Sequence, residues 1–66
     1  MNIELNGEAY ELADQATVAT LLDALALHGK RLAVEVNEDI VPRSQHAEFR
    51  LQAGDRVEVV HAIGGG

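Results

Sequence analysis

Few side chains in this sequence of 66 residues have the chemistry for covalent catalysis. Cysteine is absent from the sequence, which excludes a thiolate nucleophile and a disulfide. The single serine, Ser44, closely follows Pro42, and we interpret it as a turn residue. His28, His46 and His61 lack the His-x-His or i, i+4 spacing that brings histidines together around a metal ion. We therefore predict neither side-chain catalysis nor a metal site.

The best candidates for a chemical role are the last three residues, Gly64, Gly65 and Gly66, which make up half of the six glycines. Because glycine has no Cβ, such an arm can enter a narrow slot in a partner protein and carry a carboxylate at its tip. Three extended residues reach about 10 Å, at ~3.3–3.6 Å each. The carboxylate is ionised at neutral pH, so it needs activation, for example as an acyl-adenylate, before acyl chemistry. The alternative is a frayed, inert chain end.

The charge balance narrows the choice of partners. Eleven acidic residues against five basic ones give a formal net charge of -6. Nucleic-acid affinity depends on clustered Lys and Arg, but the basic residues are scattered here, and Tyr10 and Phe49 are the only aromatic residues. We expect no nucleic-acid binding, and we expect the acidic surface to attract a basic protein partner. Four acids, Glu35, Glu38, Asp39 and Glu58, are interpreted as part of this solvated surface, not as a catalytic carboxylate pair.

The sequence pattern does not predict a signal peptide or a membrane span. The first residues, Met1 to Leu5, lack the basic segment and long apolar core of a signal peptide. No apolar run approaches the length of a membrane span. We expect a soluble, cytoplasmic protein with no membrane partner, organised as a single domain over residues 1–66 with a flexible tail at 64–66.

The hydrophobic pattern of the first half predicts a hairpin and then a helix. Ile3 and Leu5 alternate with polar residues, and Asn6-Gly7 is typical of a type I′ turn before a return strand. Thr17 is the expected N-cap of the helix, with Asp14 as the competing candidate. The apolar residues of the helix follow at i, i+3, i+4 and i+7: Val18, Leu21, Leu22 and Leu25. Gly29 is expected to end the helix in a left-handed conformation.

The second half reads as three more strands. The predicted segments are Leu32 to Val36, Ile40-Val41 and Arg56 to Ala62, with a possible helical turn between 44 and 49. The order β-β-α-β-β-β predicts an α+β fold, a mixed sheet of about five strands with one helix packed on one face. If Val57 and Val59 face the helix, the other residues of the last strand form a partner-docking surface on the open face: Glu58, Val60 and Ala62.

The motifs on this framework resemble those of the thiamine-biosynthesis sulfur carrier family, which has the ubiquitin-like β-grasp fold. They are Val36-Asn37, Ile40-Val41-Pro42-Arg43, Gly54-Asp55 and the terminal Gly65-Gly66. The resemblance covers the whole chain without insertions. Two departures are His46, where an aromatic residue often follows the Val-Pro-Arg motif, and Gly64, which makes the end a triple glycine.

The resemblance implies a carrier that serves as co-substrate and is not itself an enzyme. It implies that an adenylating enzyme of the ubiquitin-activating type uses Mg-ATP to adenylate Gly66, and that a persulfide donor then converts this end to a thiocarboxylate. Thiazole synthase would take the sulfur into the thiazole ring of thiamine. On this resemblance Gly65, Gly64 and Ile63 would lie in the partner's channel, and the carrier itself would bind no cofactor.

Three other functions remain open on the sequence alone. Small molybdopterin-synthase subunits are similar carriers that would deliver sulfur to a different recipient. A binding-only β-grasp module would have an inert tail and would not need Gly66. A ubiquitin-like protein modifier would join the Gly66 carboxyl to a lysine in an amide bond.

Overall fold

The computed structural model describes residues 1–61 of the chain. Its elements are β1 (Asn2–Leu5), β2 (Glu8–Glu11), α1 (Val18–Ala24), β3 (Leu32–Val36), β4 (Asp39–Ile40), a 3₁₀ turn (Arg43–Gln45) and β5 (Arg56–His61). The predicted order of strands and helix is confirmed. No helix in this part of the chain combines the length and apolar character needed to cross a bilayer.

The strands form one mixed sheet of five in the order β2-β1-β5-β3-β4. The last strand, β5, therefore lies at the centre, parallel to β1 and antiparallel to β3. Two hairpins occupy the flanks, β1 with β2 and β3 with β4. The predicted α+β architecture is confirmed, and the strand that leads towards the glycine-rich end is held on both sides.

Both hairpins turn through residues with positive φ. Asn6 and Gly7 have φ values of 50° and 86°, as the predicted type I′ turn requires. Asn37 and Glu38 form the second turn with φ values of 53° and 74°, so a glutamate occupies the left-handed region there. The short strand after this turn is Asp39–Ile40, one residue earlier than the predicted Ile40-Val41.

The start of α1 is as predicted, but its end is not. The Thr17 side chain accepts a hydrogen bond from the Thr20 backbone N–H at 3.1 Å, so Thr17 is the N-cap and Asp14 is not. At the other end, the Ala26 N–H donates to the Asp23 carbonyl at 3.0 Å, and the Leu27 N–H to Leu22 at 2.8 Å. This is a Schellman motif with Ala26 as its left-handed residue, at φ 59°.

The prediction that Gly29 ends the helix is therefore wrong. Gly29 has φ 82°, but it belongs to the following turn, in which the Lys30 N–H donates to the Leu27 carbonyl at 3.1 Å. Alanine accepts a left-handed conformation at a cost that glycine avoids. The helix stops early because this cap satisfies the last carbonyls and returns Leu27 to the edge of the core.

The core lies between α1 and one face of the sheet. Four side chains within it are almost completely inaccessible to solvent: Leu21, Val18, Val34 and Val57. Leu51 and Val41, on irregular segments that cross the same face, complete its border. Within residues 1–61 the helix covers only this face, and side chains on the other face of the sheet, such as Glu58 and Val60, are exposed.

Candidate functional site

The side chains of β5 alternate between the core and the open face of the sheet. Val57 and Val59 are 1% and 9% exposed, whereas Glu58 is exposed and Val60 is 55% exposed. The predicted assignment of faces is therefore confirmed for Val57 to Val60. Only the orientation is established by this finding, and the docking role of Glu58 and Val60 stays a prediction.

Strand register places further residues beside them. Val60 is paired with Ala33 across β3, Glu58 is paired with Glu35, and Glu35 is in turn paired with Ile40 on β4. Ile40 is 68% exposed, more than any other large apolar side chain among residues 1–61. We call these five residues the open-face patch: Ala33, Glu35, Ile40, Glu58 and Val60. Sequence reasoning missed Ala33, Glu35 and Ile40, which only the register of β3 could have revealed.

The open-face patch combines exposed apolar groups with negative charge. Glu35 and Glu58 lie directly opposite each other, an arrangement that destabilises a sheet by about 0.2–1 kcal/mol. Nearby, Glu4 is paired with Arg56, whose Nη2 is 3.8 Å from Glu38 Oε2. The guanidinium of Arg56 thus lies among four carboxylates, those of Glu4, Glu35, Glu38 and Glu58. Such a surface complements a partner that offers positive and apolar side chains.

Asn6 extends the support of β5 beyond its parallel pairing with β1. Its backbone N–H donates to the Val57 carbonyl at 2.9 Å, and its side-chain Oδ1 accepts from the Val59 N–H at 3.0 Å. The hairpin turn thereby acts as a short continuation of β1. Consequently β5 keeps hydrogen bonds on that side up to Val59.

A second asparagine fixes the beginning of β5. Asn37 Oδ1 accepts from the Arg56 N–H at 2.9 Å, and Asn37 Nδ2 donates to Asp55 Oδ1 at 3.1 Å. The other carboxylate oxygen of Asp55 accepts from the Gln52 N–H at 2.8 Å. Two of the sequence motifs, Val36-Asn37 and Gly54-Asp55, thus form one hydrogen-bonded unit. Their role within the described residues is to set the start of the central strand.

The described chain ends at His61, the last residue of β5. Five of the predicted site residues, Ala62, Ile63, Gly64, Gly65 and Gly66, lie outside the described residues. Their assignment as docking residue, channel segment and reacting end therefore stays a prediction. The fold fixes His61, the residue that precedes this segment, at the end of the central strand and next to the open-face patch.

The three histidines and the serine come from different segments of the fold. His28 Nδ1 is 3.2 Å from Asp23 Oδ1 after the helix, and His46 Nε2 is 3.1 Å from the Val41 carbonyl oxygen. His61 lies at the end of β5, and Ser44 is in the 3₁₀ turn. No three side chains of the metal-binding types come together within residues 1–61.

Comparison with known proteins gives consistent results. The model of the ThiS family matches residues 3–66. The sulfur carrier protein ThiS of Escherichia coli is 36% identical over 66 residues, which cover all of both chains. The crystal structure of the thiamine biosynthesis protein ThiS from Geobacter metallireducens superposes with a TM-score of 0.86 at 30% identity, again over all of both chains. The predicted β-grasp fold is thereby confirmed.

Another relative is much longer than this chain. Thiazole synthase of Paramagnetospirillum magneticum is 39% identical over 66 residues, which are the whole of this chain but only 20% of that protein. The chain thus spans about a fifth of that relative's length, and the rest of that protein has no counterpart here.

Proposed function

The chain belongs to the ThiS family, and from this membership we propose that it carries sulfur for thiamine biosynthesis on its C-terminal glycine. The observation that carries the proposal is the end-to-end match to a protein named as a sulfur carrier, on a fold whose central strand leads towards Gly66. The chain is a carrier and not an enzyme. It is consumed and regenerated as a co-substrate of its partners.

The chemistry required at Gly66 follows from the inertness of a carboxylate. A carboxylate oxygen of Gly66 attacks the α-phosphorus of Mg-ATP held by an adenylating enzyme of the ubiquitin-activating type, and pyrophosphate leaves. The terminal sulfur of a persulfide donor then attacks the acyl carbon and displaces AMP. A thiol reduces the resulting acyl disulfide and releases the thiocarboxylate. This chain contributes an arm without side chains at Gly64, Gly65 and Gly66, so that the acyl carbon can reach a narrow active site.

The open-face patch is the proposed docking surface for the enzymes that act on this end. Val60 and Ile40 supply apolar area, and Glu58 and Glu35 select partners with basic residues. Ala62 would extend the patch, and Ile63 would enter the channel with the glycines. Recognition and reaction would thus occur on adjacent parts of one chain segment.

Thiazole synthase is the proposed recipient of the sulfur. The match of this whole chain to one fifth of a protein named thiazole synthase supports this choice, because it associates the two functions in one polypeptide. A chain without cysteines suits a reducing compartment, and we place the transfer in the cytoplasm. No ligand of the carrier itself is required by this scheme.

Intact-mass measurement after reconstitution tests the proposal. The protein is incubated with the adenylating enzyme, Mg-ATP, cysteine and a persulfide-forming desulfurase, and the C-terminal peptide is then isolated. We expect replacement of one terminal oxygen by sulfur on the peptide that contains Gly66, dependent on ATP. Localisation is essential because oxidation of Met1 changes the mass by nearly the same amount.

A variant that lacks both Gly65 and Gly66 is the matched control and should remain unmodified, because removal of Gly66 alone would leave a Gly-Gly end. Transfer from the thiocarboxylate to thiazole synthase, and not to molybdopterin synthase, identifies the recipient. An unmodified wild-type tail, obtained while the same enzyme modifies a known carrier, would contradict the proposal and favour a binding-only module. A conjugate to lysine on a denaturing gel would instead indicate a protein modifier.

A further inference from the structure

A cleft on the helix side of the molecule gathers positive charge in an otherwise acidic protein. It has a volume of about 220 Å³ and lies between α1, the loop that follows it, the start of β3 and the 3₁₀ turn. His28, Lys30, Arg43 and His46 all line it. Two of the five basic residues and two of the three histidines thus meet here, although they come from separate parts of the sequence. We call this the basic cleft.

Among the described residues, no neighbouring side chain forms an ion pair with the two cations of the basic cleft, Lys30 and Arg43. No aspartate or glutamate lines the cleft. Within residues 1–61, neither Lys30 nor Arg43 forms an ion pair, whereas Arg56 does so with Glu38 on the open face. His28, which also lines the cleft, has its Nδ1 3.2 Å from Asp23 Oδ1. Because two unpaired cations lie together, the cleft attracts an anionic group.

The walls and floor indicate what kind of anion fits. Lys30 and Arg43 are exposed, so they do not surround and desolvate a small ion. Leu22, only 6% exposed, and half-buried Leu32 give the cleft an apolar floor. A free phosphate makes no favourable contact with an apolar floor. A peptide with alternating acidic and apolar side chains can contact both the cations and the floor.

The basic cleft also lies close to the origin of the C-terminal segment. Leu32, on its floor, is paired across the sheet with His61, the last residue of β5. The open-face patch begins one residue pair further along the same two strands, at Ala33 and Val60. A protein that holds the segment after His61 therefore has the patch on one side of the sheet and the cleft on the other.

From these observations we infer that the basic cleft binds an acidic segment of a partner protein. The inference rests on the proposed function only for the identity of that partner, one of the enzymes that act on Gly66. The acidic segment would pair with Lys30 and Arg43 while an apolar side chain contacts the floor. The two docking surfaces then have opposite charge, so a partner must match both and is oriented about β5 before Gly66 reacts.

The first test is independent of the proposed function. The ¹⁵N-labelled protein is titrated with a capped Glu-Leu-Glu-Glu-Leu peptide, with the matching Gln-Leu-Gln-Gln-Leu peptide, and with inorganic phosphate at equal ionic strength. We expect saturable amide shifts at the cleft residues with the acidic peptide only. The Arg43→Glu variant should lose them. Arg50→Glu is the matched control, because Arg50 is also exposed and without an ion pair among residues 1–61 but does not line the cleft.

Three results would overturn the inference. They are the absence of saturable shifts with the acidic peptide, equal losses in the two variants, and phosphate shifts as large and saturable as those of the peptide. The last of these would identify a small-anion site.

The second test connects the cleft to the partners. Calorimetric titration with the adenylating enzyme and with thiazole synthase should show binding at least about tenfold weaker for Arg43→Glu with one of them, and a change below about twofold for Arg50→Glu. Equal losses in both variants would contradict the role of the cleft. If wild-type protein binds neither enzyme and stays unmodified at Gly66, the proposed function fails, and the peptide titration still decides whether the cleft binds acidic segments.

Discussion

Adjacent residues of β5 lie on opposite faces of the sheet and have different environments. On the helix side, Val57 and Val59 are buried, and their environment consists of other aliphatic side chains of the core. On the open side, Glu58 and Val60 are exposed, and Glu58 is opposite another glutamate. Burial of Val57 and Val59 stabilises the folded state. The Glu58–Glu35 pair stabilises it less than a pair of neutral side chains would. The open face therefore contributes little to stability, and single substitutions can separate stability from the proposed docking role.

The largest expected effect comes from a charge on the covered face. A domain of 66 residues has a stability of about 3–10 kcal/mol, at ~0.05–0.15 kcal/mol per residue. Val57→Asp buries an unpaired carboxylate and should cost more than about 4 kcal/mol, which exceeds the lower end of this range and is a large part of its upper end. Val60→Asp, three residues along the same strand, should shift the stability by less than about 0.5 kcal/mol. Circular dichroism during urea unfolding measures both.

The same pair of variants tests the docking role of the open face. Val60→Asp should bind the adenylating enzyme or thiazole synthase more weakly while its circular dichroism spectrum stays that of the wild type. Unfolding of Val60→Asp would show that the open face is part of the stabilising core. Wild-type affinity for both enzymes would remove Val60 from the docking surface.

A smaller change in stability is expected at the end of α1, on the helix side of the sheet. Ala26→Gly relieves the left-handed conformation at φ 59° and should stabilise the protein by about 0.4–1 kcal/mol. Ala24→Gly is the control, because Ala24 is also exposed but is the last residue of the helix itself, where glycine should cost up to about 0.8–1 kcal/mol. Opposite signs in thermal unfolding would confirm the helix end described here. Both variants should keep the partner affinity of the wild type, since neither residue contributes to the open-face patch.

A further small gain in stability is expected from a charge reversal on the open face. Glu58→Lys replaces a like-charged pair with an opposite one and should stabilise the protein by about 0.2–1 kcal/mol, while it weakens binding to a basic partner. Glu11→Lys makes the same change in net charge, but the residue opposite it is Asn2. A gain in urea midpoint for Glu58→Lys that exceeds that of Glu11→Lys and shrinks with added salt would support the argument. Equal gains would show that only net charge matters.

Local signals predicted most of the fold because each depends on a few neighbouring residues. The Asn6-Gly7 turn, the Thr17 cap and the alternation in β5 are of this kind. The end of α1 was mispredicted because Ala26 adopts a conformation that its own propensity opposes, imposed by the cap and by the packing of Leu27. The local rule favoured Gly29, and tertiary contacts overrode it.

Only the residues of the candidate site that lie on β5 could be predicted from the sequence. Glu58 and Val60 follow from the period of two, but Ile40 joins them through two successive strand pairings. The basic cleft was beyond sequence reasoning for the same reason, since Lys30 and Arg43 become neighbours only once β3 and the 3₁₀ turn are placed against α1. Contacts between distant segments require the register, which no local pattern specifies.

The central position of β5 has a mechanical consequence. Tension applied to the chain beyond His61 acts along the axis of a strand that is bonded to β1 and Asn6 on one side and to β3 on the other. Such a load shears all these hydrogen bonds together, whereas pulling on an edge strand could break them one at a time. Under the proposed function, an enzyme that pulls on the C-terminus could therefore exert force on it without unfolding the domain.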